Sequence, residues 1–139
     1  MPQQINITPL ATQTALIMGL GLSLAATGDI ATFTLPAPPA GFSRYIIVQL
    51  RVSGASGNIS TGVVGVWTGA NETGVNVVAQ TATGITTGAD GTNGNANALP
   101  GVNSNTQVYT PTGFPQLFLH VSTAVAGTAN FVIQIIWLP

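Results

Sequence analysis

The chain has 139 residues, enough for one ordinary domain with a real core. Only 4% of them are charged, against roughly 25% in typical soluble domains, and the net charge is -1. With two arginines, no lysine and no cysteine, the chain offers no basic patch for nucleic acid, no disulfide framework and no cysteine-bound zinc.

Residues 1–12, "MPQQINITPLAT", carry two prolines and no clear period. They predict an extended N-terminal arm, either a disordered or locally packed terminus or a segment that reaches a neighbouring subunit through Ile5, Ile7 and Leu10. No Lys or Arg precedes Arg44, so the positive start of a secretory signal is missing. The apolar stretch "TALIMGLGLSLAA" is too short to cross a bilayer, which takes about 20 residues. From Met18 it alternates, with Met18, Leu20, Leu22 and Leu24 on one face, as a strand does.

Period-two runs follow, split by Gly, Pro, Asn and Ser. "DIATFTL" (Asp29–Leu35) stops at "PAPPAG", because proline cannot donate to a ladder. In "RYIIVQLRV", Ile46, Val48, Leu50 and Val52 point one way and Tyr45, Ile47, Gln49 and Arg51 the other. With "ISTGVVGVWTG" this run predicts a hairpin across "SGASGN". "TGANETG" is the next turn and "VNVVAQT" the next strand. Residues 82–105 are rich in Gly, Asn, Thr and Ala. They predict a projecting loop region or short strands near Ile85 and Leu99. "QLFLHVST" and "NFVIQIIWL" close the chain as a second predicted hairpin. The sum is an all-β fold: an antiparallel β-sandwich, jelly-roll-like, of about eight to nine strands over residues 13–139.

Groups for catalysis are few. There is one histidine, His120, on the strand face of Phe118 and Ser122, and the three carboxylates Asp29, Glu72 and Asp90 lie far apart in sequence. No nucleophile-elbow pattern occurs. "GADGTNGNAN" has oxygen ligands for calcium but a single carboxylate and no EF-hand spacing. The expectation is no enzyme, no catalytic residue, no metal and no cofactor.

The apolar second faces carry more. In "FVIQIIWLP", Phe131, Ile133, Ile135 and Trp137 make one face, and on the other only Gln134 interrupts Val132, Ile136 and Leu138. Ile47, Val78 and Phe118 also stand opposite the expected core faces of their strands. An outer sheet face should be polar, so something should cover these residues: a second copy or larger assembly, or a loop or the N-terminal segment of the same chain. Tryptophan, tyrosine and arginine are common interface anchors. The candidate interface is therefore Ile5, Ile7, Leu10, Tyr45, Arg51, Trp67, Phe118, Ile136, Trp137 and Leu138. A spike, fibre or carbohydrate-binding module using Trp67, Tyr45 and the Asn-rich loop is the alternative.

The run "ATGDIATFTLPAPPAGFSRYIIVQLRVSGASGNISTGVVGVWTGANETG" and the closing "LFLHVSTAVAGTANFVIQIIWL" resemble small virion structural proteins of tailed bacteriophages, of the capsid decoration (cement) type. The resemblance spans about residues 26–138 and lies in composition and strand order. It implies a β-sandwich made in the host cytoplasm and carried on the capsid surface. The implied partners are the major capsid protein and further copies of itself as a dimer or trimer. It carries over no functional residue, and neither nucleic acid nor membrane is an expected partner.

Overall fold

A computed structural model describes residues 13–86 and 108–139, and the backbone of 97–99. Eight strands occur in the order β1 (Gln13–Ser23), β2 (Gly28–Thr34), β3 (Arg44–Ser53), β4 (Val63–Gly69), β5 (Thr73–Ala82), β6 (Asn97–Leu99), β7 (Gln116–Thr123) and β8 (Thr128–Leu138). They form two four-stranded antiparallel sheets, ordered β1-β8-β3-β6 and β2-β7-β4-β5. First pairs with last, second with seventh, third with sixth and fourth with fifth. That nesting, split over two sheets, is the jelly-roll sandwich the sequence predicts.

Among the described strands only β4 and β5 form a hairpin. The two predicted hairpins do not exist, because β3 and β4 belong to different sheets, as do β7 and β8. Period-two patterning marks a strand's core face. It does not say whether the next strand lies beside that strand or across the interior from it.

The interior is filled by Leu50, Val52, Phe131, Ile133, Ile135 and Trp137 from the β1 sheet, facing Phe33, Val64, Val66, Leu117, Leu119 and Val121 from the β2 sheet. The outward residues of β8 (Val132, Gln134, Ile136, Leu138) stay half-buried. Two bulges alter the predicted faces. In β1 the register slips between Gly19 and Leu22. Ala15 and Ile17 pack inward before the slip, Leu22 and Leu24 after it, so Met18 and Leu20 do not share a face with Leu24. Gly21 sits in this slip with φ 63, a conformation that suits glycine, and its N–H is capped by Asn130 Oδ1 at 2.8 Å. In β3 the register slips between Ile47 and Gln49, so Tyr45 and Ile47 face inward before it and Leu50 and Val52 after it. Ile47 is therefore core. Val78 is core as well: the register of β4 against β5 is irregular here, and both Val77 and Val78 are buried. Ile85 is buried outside any strand, and the short strand near Leu99 is present as β6. The rest of the expected 82–105 loop, from residue 87 onward, lies outside the described residues.

Tyr45 and Tyr109 stack at 5.5 Å between centroids, and the Tyr45 hydroxyl donates to the Phe114 carbonyl at 3.1 Å. Burial, and then the neighbouring Tyr109, push the Tyr45 phenol well above the ordinary tyrosine range; burial also raises Tyr109. These are the only two tyrosines. An unfolded chain ionises its tyrosines near pH 10. The stabilisation from keeping both phenols neutral is thus complete below that pH and is lost as pH rises beyond it. Phenolate absorbance is expected to appear only together with loss of the far-ultraviolet β signal. A phenolate rise near pH 10 with the fold intact would contradict this packing.

Candidate functional site

The two outer faces of the sandwich differ in character. On the β1 sheet, cross-strand neighbours set Thr14, Ile136 and Ile46 in one row, Leu16, Gln134 and Gln49 in the next, and Met18, Val132 and Arg51 in a third. Leu16, Met18 and Leu20 are 58%, 60% and 67% exposed. The polar interruption is paired within itself, with Gln49 Nε2 donating to Gln134 Oε1 at 2.6 Å. Arg51 is exposed at the rim of an open groove of about 560 Å³ lined by Leu16, Val132 and Gln134. Among the described residues its guanidinium makes no ion pair or hydrogen bond. Arg44, on the same strand, is engaged: its Nε and Nη2 donate to the Pro139 oxygen at 2.8 and 2.6 Å.

The β2 sheet carries a polar tile. His120 projects outward because Leu117, Leu119 and Val121 fill the inward positions of β7. Its Nδ1 lies 2.7 Å from Asp29 Oδ1, and Asp29 is its register partner on β2. Its Nε2 lies 3.5 Å from Glu72 Oε1. Glu72 comes from the β4–β5 turn, where Asn71 (φ 53) and Glu72 (φ 60) both adopt the left-handed conformation of a type I′ hairpin turn. A glutamate there costs about 1 kcal/mol of backbone strain. The turn is tied down by the Asn71 N–H donating to Asp29 Oδ2 at 2.7 Å and by Gln80 Nε2 donating to Glu72. Trp67 lies in the same layer, edge-on to the His120 ring at 5.7 Å, and is absent from the sandwich interior. Its ring covers Gly65, where a Cβ would stand 2.6 Å from the indole. Two of the three acids thus meet at the single histidine, a juxtaposition of positions 43 to 91 residues apart that no sequence spacing reveals. Among the described residues no group of three His, Cys, Asp or Glu side chains is arranged to hold a metal ion.

The candidate interface residues separate cleanly. Tyr45 and Trp137 are fully buried in the interior, edge-on to each other at 5.9 Å. Trp67 exposes 7% of its surface. These three have almost no area to offer a partner, which corrects their assignment as anchors. They also present no open ring face for a sugar. Arg51, Ile136 and Leu138 share the outer face of the β1 sheet, with Arg51 opposite Val132 further along β8, while Phe118 lies on the outer face of the β2 sheet. Ile5, Ile7 and Leu10 lie outside the described residues. The sequence reading missed Leu16, Met18 and Leu20 as exposed residues, since the β1 bulge hides their orientation in a run that looks uniformly core-like.

No family model matches the chain, and no curated protein matches it. Among solved structures, a chain of the cyanophage Pam1 capsid asymmetric unit overlaps with a TM-score of 0.31 and 11% identity, covering 100% of this chain and 94% of the other. A chain of the virus-like particle of giant freshwater prawn (Macrobrachium rosenbergii) extra small virus overlaps with a TM-score of 0.29 and 13% identity, covering 98% and 86%. Both structures are viral capsid assemblies. Overlap at this level does not define a common fold.

Proposed function

We propose that the protein is a structural virion component, a jelly-roll subunit that binds the outside of a phage capsid as an oligomer and stabilises the head. The observation that carries this is the uncharged strand β1, which holds Leu16, Met18 and Leu20 more than half exposed beside the half-buried Val132, Ile136 and Leu138 of β8. Contiguous exposed apolar surface on a protein of this size marks a contact surface. Jelly rolls serve in viral capsids and in lectins, so the fold alone does not choose. Against the lectin-like reading, the rings of Tyr45 and Trp67 are buried. The low charge content fits a chain that lives in a large assembly rather than as a free monomer. The resemblance to decoration proteins in strand order and composition points the same way. The partners are then the major capsid protein and other copies of this chain. Each contact can be weak, because repetition over a lattice supplies avidity.

Quantitative mass spectrometry of purified virions tests the reading. A copy number equal to that of the major capsid protein, or a simple fraction of it, is the expected result. A handful of copies per particle would move the protein to a vertex, neck or tail, and its absence from virions would overturn the proposal.

A further inference from the structure

Among the described residues the charged side chains are segregated by face. Both cations, Arg44 and Arg51, lie on β3 in the β1 sheet. Two of the three acids, Asp29 and Glu72, lie on the outer side of the β2 sheet around His120, and Glu72 remains 38% exposed. We propose that the β1-sheet face of one copy docks on the β2-sheet face of the next, with Arg51 meeting the Glu72–Asp29 tile. The occupant of the Arg51 groove is thus a second copy of this chain, bound heterologously.

Charge complementarity selects this pairing over the two symmetric ones. Two β1-sheet faces brought together would carry four arginines, of which the two Arg51 side chains have no described carboxylate to receive them. Two β2-sheet faces would bring four carboxylates together against two histidines. Like charges in contact suppress such arrangements, and opposite charges fix the register of the remaining one. The affinity comes from apolar area. Leu16 and Met18 flank Arg51 and Gln134, while Thr32 and Phe118 are cross-strand neighbours on the opposing face, one step along the strands from Asp29 and His120. A heterologous contact closes into a ring when its rotation allows and otherwise extends as an array. It therefore suits the repeated environment of a shell. The stack rests on the reading of the β1-sheet face as an assembly surface.

Sedimentation velocity on the full chain tests it, using Arg51→Glu, Glu72→Arg and the double variant, with circular dichroism to show that each is folded. Both substituted positions are exposed, so the variants are expected to keep the fold. The wild type is expected to self-associate. Each single reversal weakens association roughly tenfold or more, the equivalent of about 1.4 kcal/mol. The double variant recovers it, because the swapped charges meet again across a heterologous contact. Association that survives both single reversals, or a double variant as weak as the singles, overturns the proposal. A wild type that is monomeric at ~100 µM, a concentration at which a standard-sized interface of about 1,600 Å² is occupied, overturns it too. Separately, a monomeric chain that still decorates purified capsids would sink the stack and leave the virion role standing. A self-associating chain absent from virions would do the reverse.

Discussion

Replacing Trp137 with alanine is expected to destabilise the isolated protein by about 3–5 kcal/mol, the cost of emptying a fully buried large aromatic site. Ile136→Ala, one residue earlier, is expected to cost about 1 kcal/mol or less, because that side chain is only half-buried on the outer face. Trp137 closes the interior against Tyr45, which in turn stacks on Tyr109, so its loss also loosens that aromatic column. Against a total stability of about 5–15 kcal/mol for a domain of this kind, the Trp137 change is a large fraction and the Ile136 change a small one. Urea unfolding followed by circular dichroism measures both. Comparable losses at the two positions would mean that both faces of β8 are closed within a single chain. In that case the outer face would not be available to a partner.

The closing strand shows why so much of the fold is legible in the sequence. Phe131, Ile133, Ile135 and Trp137 alternate without interruption across an unbulged core, and all four are buried. The same clean alternation marks β7, and runs of this kind lead to about eight to nine strands and a sandwich. Where one residue is inserted, the same reasoning fails. The slips near Val48 in β3 and between Gly19 and Leu22 in β1 reverse the faces halfway along each strand. Tyr45 and Ile47 then change from outward to buried, and Met18 and Leu20 part from Leu22 and Leu24, with which the alternation grouped them. An unbroken apolar run carries no mark of such a slip, apart from the glycines that allow it.

The site was less legible than the fold because it depends on strand pairing within the β2 sheet between segments far apart in the chain. That Asp29 and Glu72 converge on His120 follows from β2 lying beside β7 and from the β4–β5 turn reaching over β7 toward β2. Strand order decides both, and periodicity contains no strand order. The interface residues divide for a related reason. Tyrosine and tryptophan anchor interfaces and also fill cores, and residue type alone cannot choose between the two. Ile136 and Leu138 keep the outward position their spacing implied. Tyr45 and Trp137 were drawn inward by the sandwich.

The outer face then makes the second large prediction. Leu16→Glu combined with Met18→Glu is expected to leave the isolated fold within about 0.5 kcal/mol of wild type, since both side chains are already more than half exposed and neither belongs to the interior cluster. Attachment to capsids is expected to fall at least ~100-fold, because neighbouring copies on the shell hold one another through this face. Two apolar side chains contribute roughly 1.5–3 kcal/mol each when buried by a partner, and each added carboxylate must in addition be stripped of water at the contact. The measurement is occupancy on particles that lack the protein and are reloaded with purified wild-type or variant chain. A variant that folds normally and fails to load assigns the contact to the β1 sheet. If it loads as well as wild type, the exposed leucine and methionine do not hold the protein on the particle. The attachment surface is then to be sought on the β2-sheet face, where Phe118 and Thr32 stand beside the Asp29–His120 pair, or at Ile5, Ile7 and Leu10 of the arm. Stability and attachment respond differently here because the energy that closes this sandwich lies between its sheets. The face that would join it to a particle contributes little to the fold of a single copy.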